Sequence, residues 1–145
     1  ENGSWKETDK HSLLRTLTDI VEDANTKIYE EGLTRKQSAQ MGTTCTLAVV
    51  RSGMVFIAHI GDSRAYLHRN SELSQLTTDH TWVQQQVLEG HISPEQADTH
   101  PRRNIITQAM AITQEIDVEN VTANLQNKDI LLICSDGLHG LIKDH

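Results

Sequence analysis

With 145 residues, 37% of them hydrophobic and 23% charged, the chain is long enough for one domain with a real core and short for two. A formal charge of −7 leaves no basic patch to neutralise phosphates, which excludes a nucleic-acid binder. The longest apolar run, Ile130 to Cys134, falls far short of the roughly 20 residues of a membrane helix, and no signal-peptide pattern opens the sequence.

Aromatic residues make up only 3%, so Leu, Ile, Val and Ala must build the core. Leu13, Leu17, Ile20, Ala24 and Ile28 recur at three- and four-residue steps and predict one apolar face of a helix over 9–31. Its start is either a Ser4–Glu7 capping box or Asp9, and its stop lies near Gly32. Residues 33–41 read as a polar loop. Four short runs follow: Thr44 to Val50, Met54 to Ile60, Arg64 to His68 and Leu73 to Leu76. Arg51-Ser52-Gly53, Gly61-Asp62 and Asn70-Ser71 separate them, and the pattern predicts an antiparallel meander.

Trp82 to Leu88 reads as a helix capped by Thr81 or Asp79 and stopped by Gly90. Ser93-Pro94-Glu95-Gln96 combines a cap, a first-turn proline and a Gln three residues past the cap, and so starts another helix. His100 to Asn104 is a polar connection, with Arg102 and Arg103 read as solvated rather than phosphate-binding. Ile116 to Leu125 predicts a strand with one buried face. Ile130 to Cys134 is apolar on both faces and predicts a central strand. A helix begins after Ser135-Asp136-Gly137. The order favours an α+β domain with mainly antiparallel sheets.

Two carboxylates stand out by position. Asp62 and Asp136 each follow a core-type strand, where a rigid element would hold them at the sheet rim. Such oxygen donors suit hard cations such as Mg²⁺ and Mn²⁺. Gly-Asp and Asp-Gly are also ordinary turn dipeptides, and on spacing alone the turn reading outweighs the ligand reading. The eight histidines show neither the i, i+4 pairing of a zinc helix nor a Cys-x-x-Cys companion, and most of them read as surface or loop residues. Cys45 and Cys134 read as buried free thiols of a reducing, cytoplasmic compartment, with a disulfide as the lesser option.

Five blocks taken in order are more specific than any one of them: Met41 to Thr44, Ala58 to Tyr66, Leu76 to His80, His100 to Ala109 and Leu131 to Leu138. The series resembles the metal-dependent serine/threonine protein phosphatases of type 2C (PPM), in their bacterial branch. The resemblance implies a four-layer α-β-β-α sandwich of antiparallel sheets, incomplete in this chain. It implies one partial phosphatase domain over residues 1–145, with a flap-like segment at about 79–103. It implies hydrolysis of phosphoserine and phosphothreonine in phosphorylated proteins by a metal-activated water, with two or three Mn²⁺ or Mg²⁺ ions. Asp136 matches a catalytic ligand of the binuclear site, and Asp62 a ligand of a third, weaker metal. The resemblance assigns no substrate-binding residue here. The family's other metal aspartates have no counterpart in the 145 residues, so the chain is expected to be a central, inactive piece of an enzyme. The alternative is a degenerate phosphatase-like binding or regulatory module without turnover.

Overall fold

A computed structural model describes residues 7–34 and 41–142. The first helix, α1, spans Glu7–Thr34. Asp9, one of the two starts weighed, lies inside its first turn, and Ser4 falls outside the described residues. The buried residues of α1 are Leu17, Val21 and Asn25, while Ile20 is 51% exposed. The face is therefore rotated from the expected one. Its most buried stripe advances in steps of four and ends on a polar residue, which hydrophobic periodicity does not count.

Two antiparallel hairpins follow. β1 (Cys45–Arg51) pairs with β2 (Met54–Ile60), and β3 (Arg64–Arg69) pairs with β4 (Glu72–Gln75). Ser52 and Gly53 at one turn, and Asn70 and Ser71 at the other, all have positive φ, the backbone twist that suits tight hairpins. The four strands do not form the single meander expected from their spacing. β1 and β2 join β5 (Glu119–Asn124) in the order β1-β2-β5, whereas β3 and β4 join β6 (Ile130–Cys134) in the order β4-β3-β6. The chain leaves the first sheet for the second at Gly61-Asp62, so the expected turn is a crossing between sheets.

α1 packs on the first sheet, with Leu17 and Val21 against Phe56, Ala58 and Ile60. The other face of β2 carries Val55 and Ile57, which meet Ala65 of β3, Leu131 of β6 and Val121 and Ala123 of β5. α1 thus covers one face of β2, while residues of β3 and β6 pack on its other face. β2 lies between both apolar clusters, which explains why it is buried from Val55 to Ile60. Arg69 links the sheets at one end. Its guanidinium donates to Asp129 (2.6 and 3.0 Å) and to the Asn124 carbonyl (2.7 Å). The Arg69 hydrogen bonds, with a further one from the Gln126 N–H, hold the Asp129 pKa down to about 2.

β6 is at the edge of its sheet, not at its centre, with β3 as its one strand partner among the described residues. Ile130, Leu132 and Ile133 are 59%, 37% and 43% exposed. Its apolar character exceeds what this packing uses. β5 alternates between half-buried and exposed residues, as expected for one covered face.

The short helices are α2 (Trp82–Leu88), α3 (Pro94–Thr99) and α4 (Asp136–His139). Thr81 caps α2 by accepting the Gln84 N–H, and Ser93 and Gln96 form the expected reciprocal capping box on α3. No helix among the described residues is long and apolar enough to cross a membrane. Cys45 and Cys134 are both half-buried rather than buried.

Asn25 pins the 111–114 segment to α1. Its Oδ1 accepts from the Ala111 N–H (2.6 Å), and its Nδ2 donates to the carbonyls of Gln114 (2.9 Å) and Thr113 (3.2 Å). Ala111 holds a positive φ of 65° there. Asn25→Ala is expected to lose about 2 kcal/mol in urea denaturation, because it leaves the buried Ala111 N–H without its partner.

Candidate functional site

Four segments meet around an open depression of about 520 Å³: residues 42–44 before β1, Asp62 and Ser63 at the sheet crossing, 106–112, and Ser135-Asp136 at the start of α4. Backbone pairing closes the ring. Thr43 exchanges hydrogen bonds with Met110 (3.2 and 2.8 Å), and the Thr107 N–H donates to the His80 carbonyl (2.8 Å). Thr44 Oγ1 and Ser63 Oγ lie 2.7 Å apart across the rim. A neighbouring depression of about 430 Å³ shares the 107–112 wall.

Asp62 and Asp136 both line this depression, 74 positions apart in sequence, at the end of the sheet where the start of β3 pairs with the end of β6. Both carboxylates therefore border one depression. Burial first, and then the nearby Asp136 charge, raise the Asp62 pKa above the ordinary carboxylate value; Asp79 adds to this, while backbone hydrogen bonding and His139 oppose it. Two carboxylates repelling one another at a polar rim are the electrostatic signature of a site that a cation would relieve. Their hard oxygen donors fit Mg²⁺ or Mn²⁺. His139 on α4 donates through Nε2 to the Asp62 carbonyl (2.9 Å), tying the two aspartate-bearing turns together.

Gly61 makes the crossing possible. Its φ is +111°, and a β-carbon there would lie 2.4 Å from Thr44 Cγ2 and 3.1 Å from Thr44 Cα. Behind Asp62, Arg64 forms a fork with Asp79, Nε to Oδ1 at 2.8 Å and Nη2 to Oδ2 at 2.6 Å, and also donates to the Tyr66 hydroxyl (2.9 Å). Burial works against the Arg64 charge, but the Asp79 and Tyr66 hydrogen bonds outweigh it and raise its pKa. Asp79, weighed as a helix cap, is instead this ion-pair partner, and Thr81 alone provides the cap.

One histidine departs from the surface or loop role read for most of them, while half-buried His80 keeps to a loop. His59 is fully buried on β2, and His80 packs beside it with ring centroids 5.0 Å apart. Ligand atoms of His59, His80 and Glu119 lie within 4.8 Å of one another. No spacing rule finds this group, because its members come from β2, the loop before α2 and β5. Arg102 and Arg103 are exposed as expected, with Arg102 lying 5.2 Å over the Trp82 ring.

The family model for protein phosphatase 2C matches residues 3–86, more than half of the chain. The chain belongs to the protein phosphatase 2C family. The serine/threonine phosphatase stp of Listeria welshimeri is 35% identical over 148 residues, covering 97% of this chain and 58% of that protein. The crystal structure of serine/threonine phosphatase Stp1 from Staphylococcus aureus superimposes with a TM-score of 0.85 at 37% identity, over 97% of this chain and 54% of that one. The catalytic domain of serine threonine protein phosphatase PstP, in complex with two manganese ions, matches with a TM-score of 0.78 at 34% identity, over 91% of this chain and 54% of that one. The chain thus spans somewhat over half the length of these phosphatase 2C relatives. The α+β arrangement of antiparallel sheets and helices is that of the family.

Proposed function

We propose that this chain is the central part of a metal-dependent protein phosphatase acting on phosphoserine and phosphothreonine in proteins. The convergence of Asp62 and Asp136 on one depression carries this reading, because it brings two hard, mutually repelling oxygen donors to the place where a phosphorylated side chain has room to enter. Asp136 would be the catalytic metal ligand and Asp62 a ligand of a further, weaker ion. Bound Mn²⁺ or Mg²⁺ would supply a water of lowered pKa and positive charge for the phosphoryl oxygens.

The chain's own residues do the holding. Gly61 and the Thr44–Ser63 contact set where Asp62 projects, and His139 fixes the Asp62 turn against α4. The segment at 79–103, containing α2 and α3 and bridged through Thr81 to Ile106 of the depression's wall, would act as a flap that meets the phosphoprotein substrate. The test is phosphate release from a phosphothreonine peptide by the full-length protein, with and without manganese. Manganese-dependent release that falls in Asp136→Asn is expected. Equal rates for parent and variant would remove Asp136 from its role.

A further inference from the structure

The peptide groups of Gly61 are gripped from behind by two histidines. Its N–H donates to His80 Nδ1 (3.1 Å). Its carbonyl accepts from the His80 N–H (2.8 Å) and from His59 Nε2 (3.1 Å). His59 Nδ1 in turn stands 2.9 Å from Thr46 Oγ1 on the neighbouring strand. With Nε2 donating to a carbonyl, a neutral His59 ring uses Nδ1 to accept the Thr46 hydroxyl proton.

We infer that His80, supported by His59 and Thr46, is a positioning residue for metal binding at the depression: it fixes the Gly61 peptide plane and so the direction in which Asp62 projects. This rests on the phosphatase reading above. Gly61 has no side chain of its own to anchor it and sits at φ +111°, so the turn needs external hydrogen bonds to hold one geometry. Burial, then the neighbouring His59, lowers the His80 pKa, which keeps its Nδ1 an acceptor. The nearness of Glu119 makes the cluster resemble a three-donor cation site. Yet both His59 nitrogens and His80 Nδ1 are already committed, and Glu119 Oε2 accepts the Thr78 N–H (2.9 Å). The group is built as a hydrogen-bonded brace.

The test uses the full-length protein with three variants. His80→Ala removes the acceptor for the Gly61 N–H. His80→Asn places Oδ1 at the same bond distance from the backbone as Nδ1 and keeps it. Thr46→Val conserves volume and removes the hydroxyl behind His59. The manganese concentration for half-maximal phosphate release is expected to rise roughly tenfold in His80→Ala, the usual effect of losing an outer support of a metal ligand. It should rise less in Thr46→Val and stay near the parent value in His80→Asn. Hydrogen exchange at the Gly61 amide, followed without metal or substrate, is expected to accelerate in His80→Ala and not in His80→Asn.

Parent-like manganese dependence in either His80→Ala or Thr46→Val would overturn the inference. So would equal shifts in His80→Ala and His80→Asn, or zinc bound to the purified protein and lost in His80→Ala. Should His80→Ala fail to fold, Thr46→Val decides alone. Loss of activity in Asp136→Asn with parent-like titration of the histidine variants sinks the brace but not the phosphatase. Absence of manganese-dependent release from the parent sinks both as statements about catalysis.

Discussion

Asp136→Asn is expected to lower manganese-dependent phosphate release by the full-length protein about a hundredfold or more. A metal's stabilisation of phosphoryl charge is worth several kcal/mol, and about 1.36 kcal/mol is a factor of ten in rate. An amide keeps the size of the carboxylate and discards its charge, so the loss is electrostatic rather than steric. The same substitution removes the second-largest cause of the raised Asp62 pKa, and a carboxyl titration of the metal-free protein should show Asp62 moving down toward the ordinary value.

The sign of the stability effect follows. Asp62 binds its proton more tightly in the folded chain than in the unfolded one. Its ionised form therefore opposes folding at neutral pH. That opposition fades as pH falls through the raised pKa and is gone below the ordinary carboxylate range. Metal-free Asp62→Asn should thus unfold at higher temperature than the parent near neutral pH, with the gap closing on acidification. Added manganese should raise the parent's melting temperature more than the variant's, because a ligand stabilises only the state it binds. A variant less stable than the parent at neutral pH would mean that Asp62 is a structural turn residue, the reading its Gly-Asp dipeptide favoured on spacing alone.

What the sequence disclosed divides along physical lines. β2, α2 and β6 are legible to the residue, because each is a compact apolar or well-capped run whose ends carry turn or cap chemistry. The two aspartates were legible as strand-end carboxylates, and their partnership came from the resemblance, not from spacing. The change of sheet at Gly61 was hidden, since a tight hairpin and a crossing use the same Gly-Asp punctuation and only the partners of the flanking strands tell them apart. Asn25 was hidden because a buried amide looks like surface to a hydrophobic count. His59 was hidden for the same reason, with an added one: it bonds the Gly61 carbonyl two positions away, but its fellow brace on that peptide, His80, lies 19 positions beyond Gly61, outside any local window. β6 misled in the opposite direction. Its composition reports a strand suited to two apolar neighbours, whereas the described residues cover only part of it.

Gly61→Ala is expected to destabilise the chain by about 2–6 kcal/mol and to abolish the manganese response. Two effects add at this position. A side chain held at a φ of +111° occupies a region that costs about 1–3 kcal/mol for anything but glycine. The new methyl also meets Thr44 at 2.4 Å from Cγ2, 2.6 Å from Cβ and 3.1 Å from Cα. The last is backbone of the strand entry, so rotating the Thr44 side chain cannot relieve the clash, and overpacking of this kind adds about 1–3 kcal/mol. Gly53→Ala is the matched comparison: its φ is +73°, and nothing lies within 4 Å of its would-be β-carbon. That variant should lose only about 1–2 kcal/mol, the left-handed cost alone, and should keep its manganese response. Urea denaturation of both variants separates backbone strain from the Thr44 contact. Equal losses would show that Thr44 yields freely, and with it the rim that directs Asp62 into the depression.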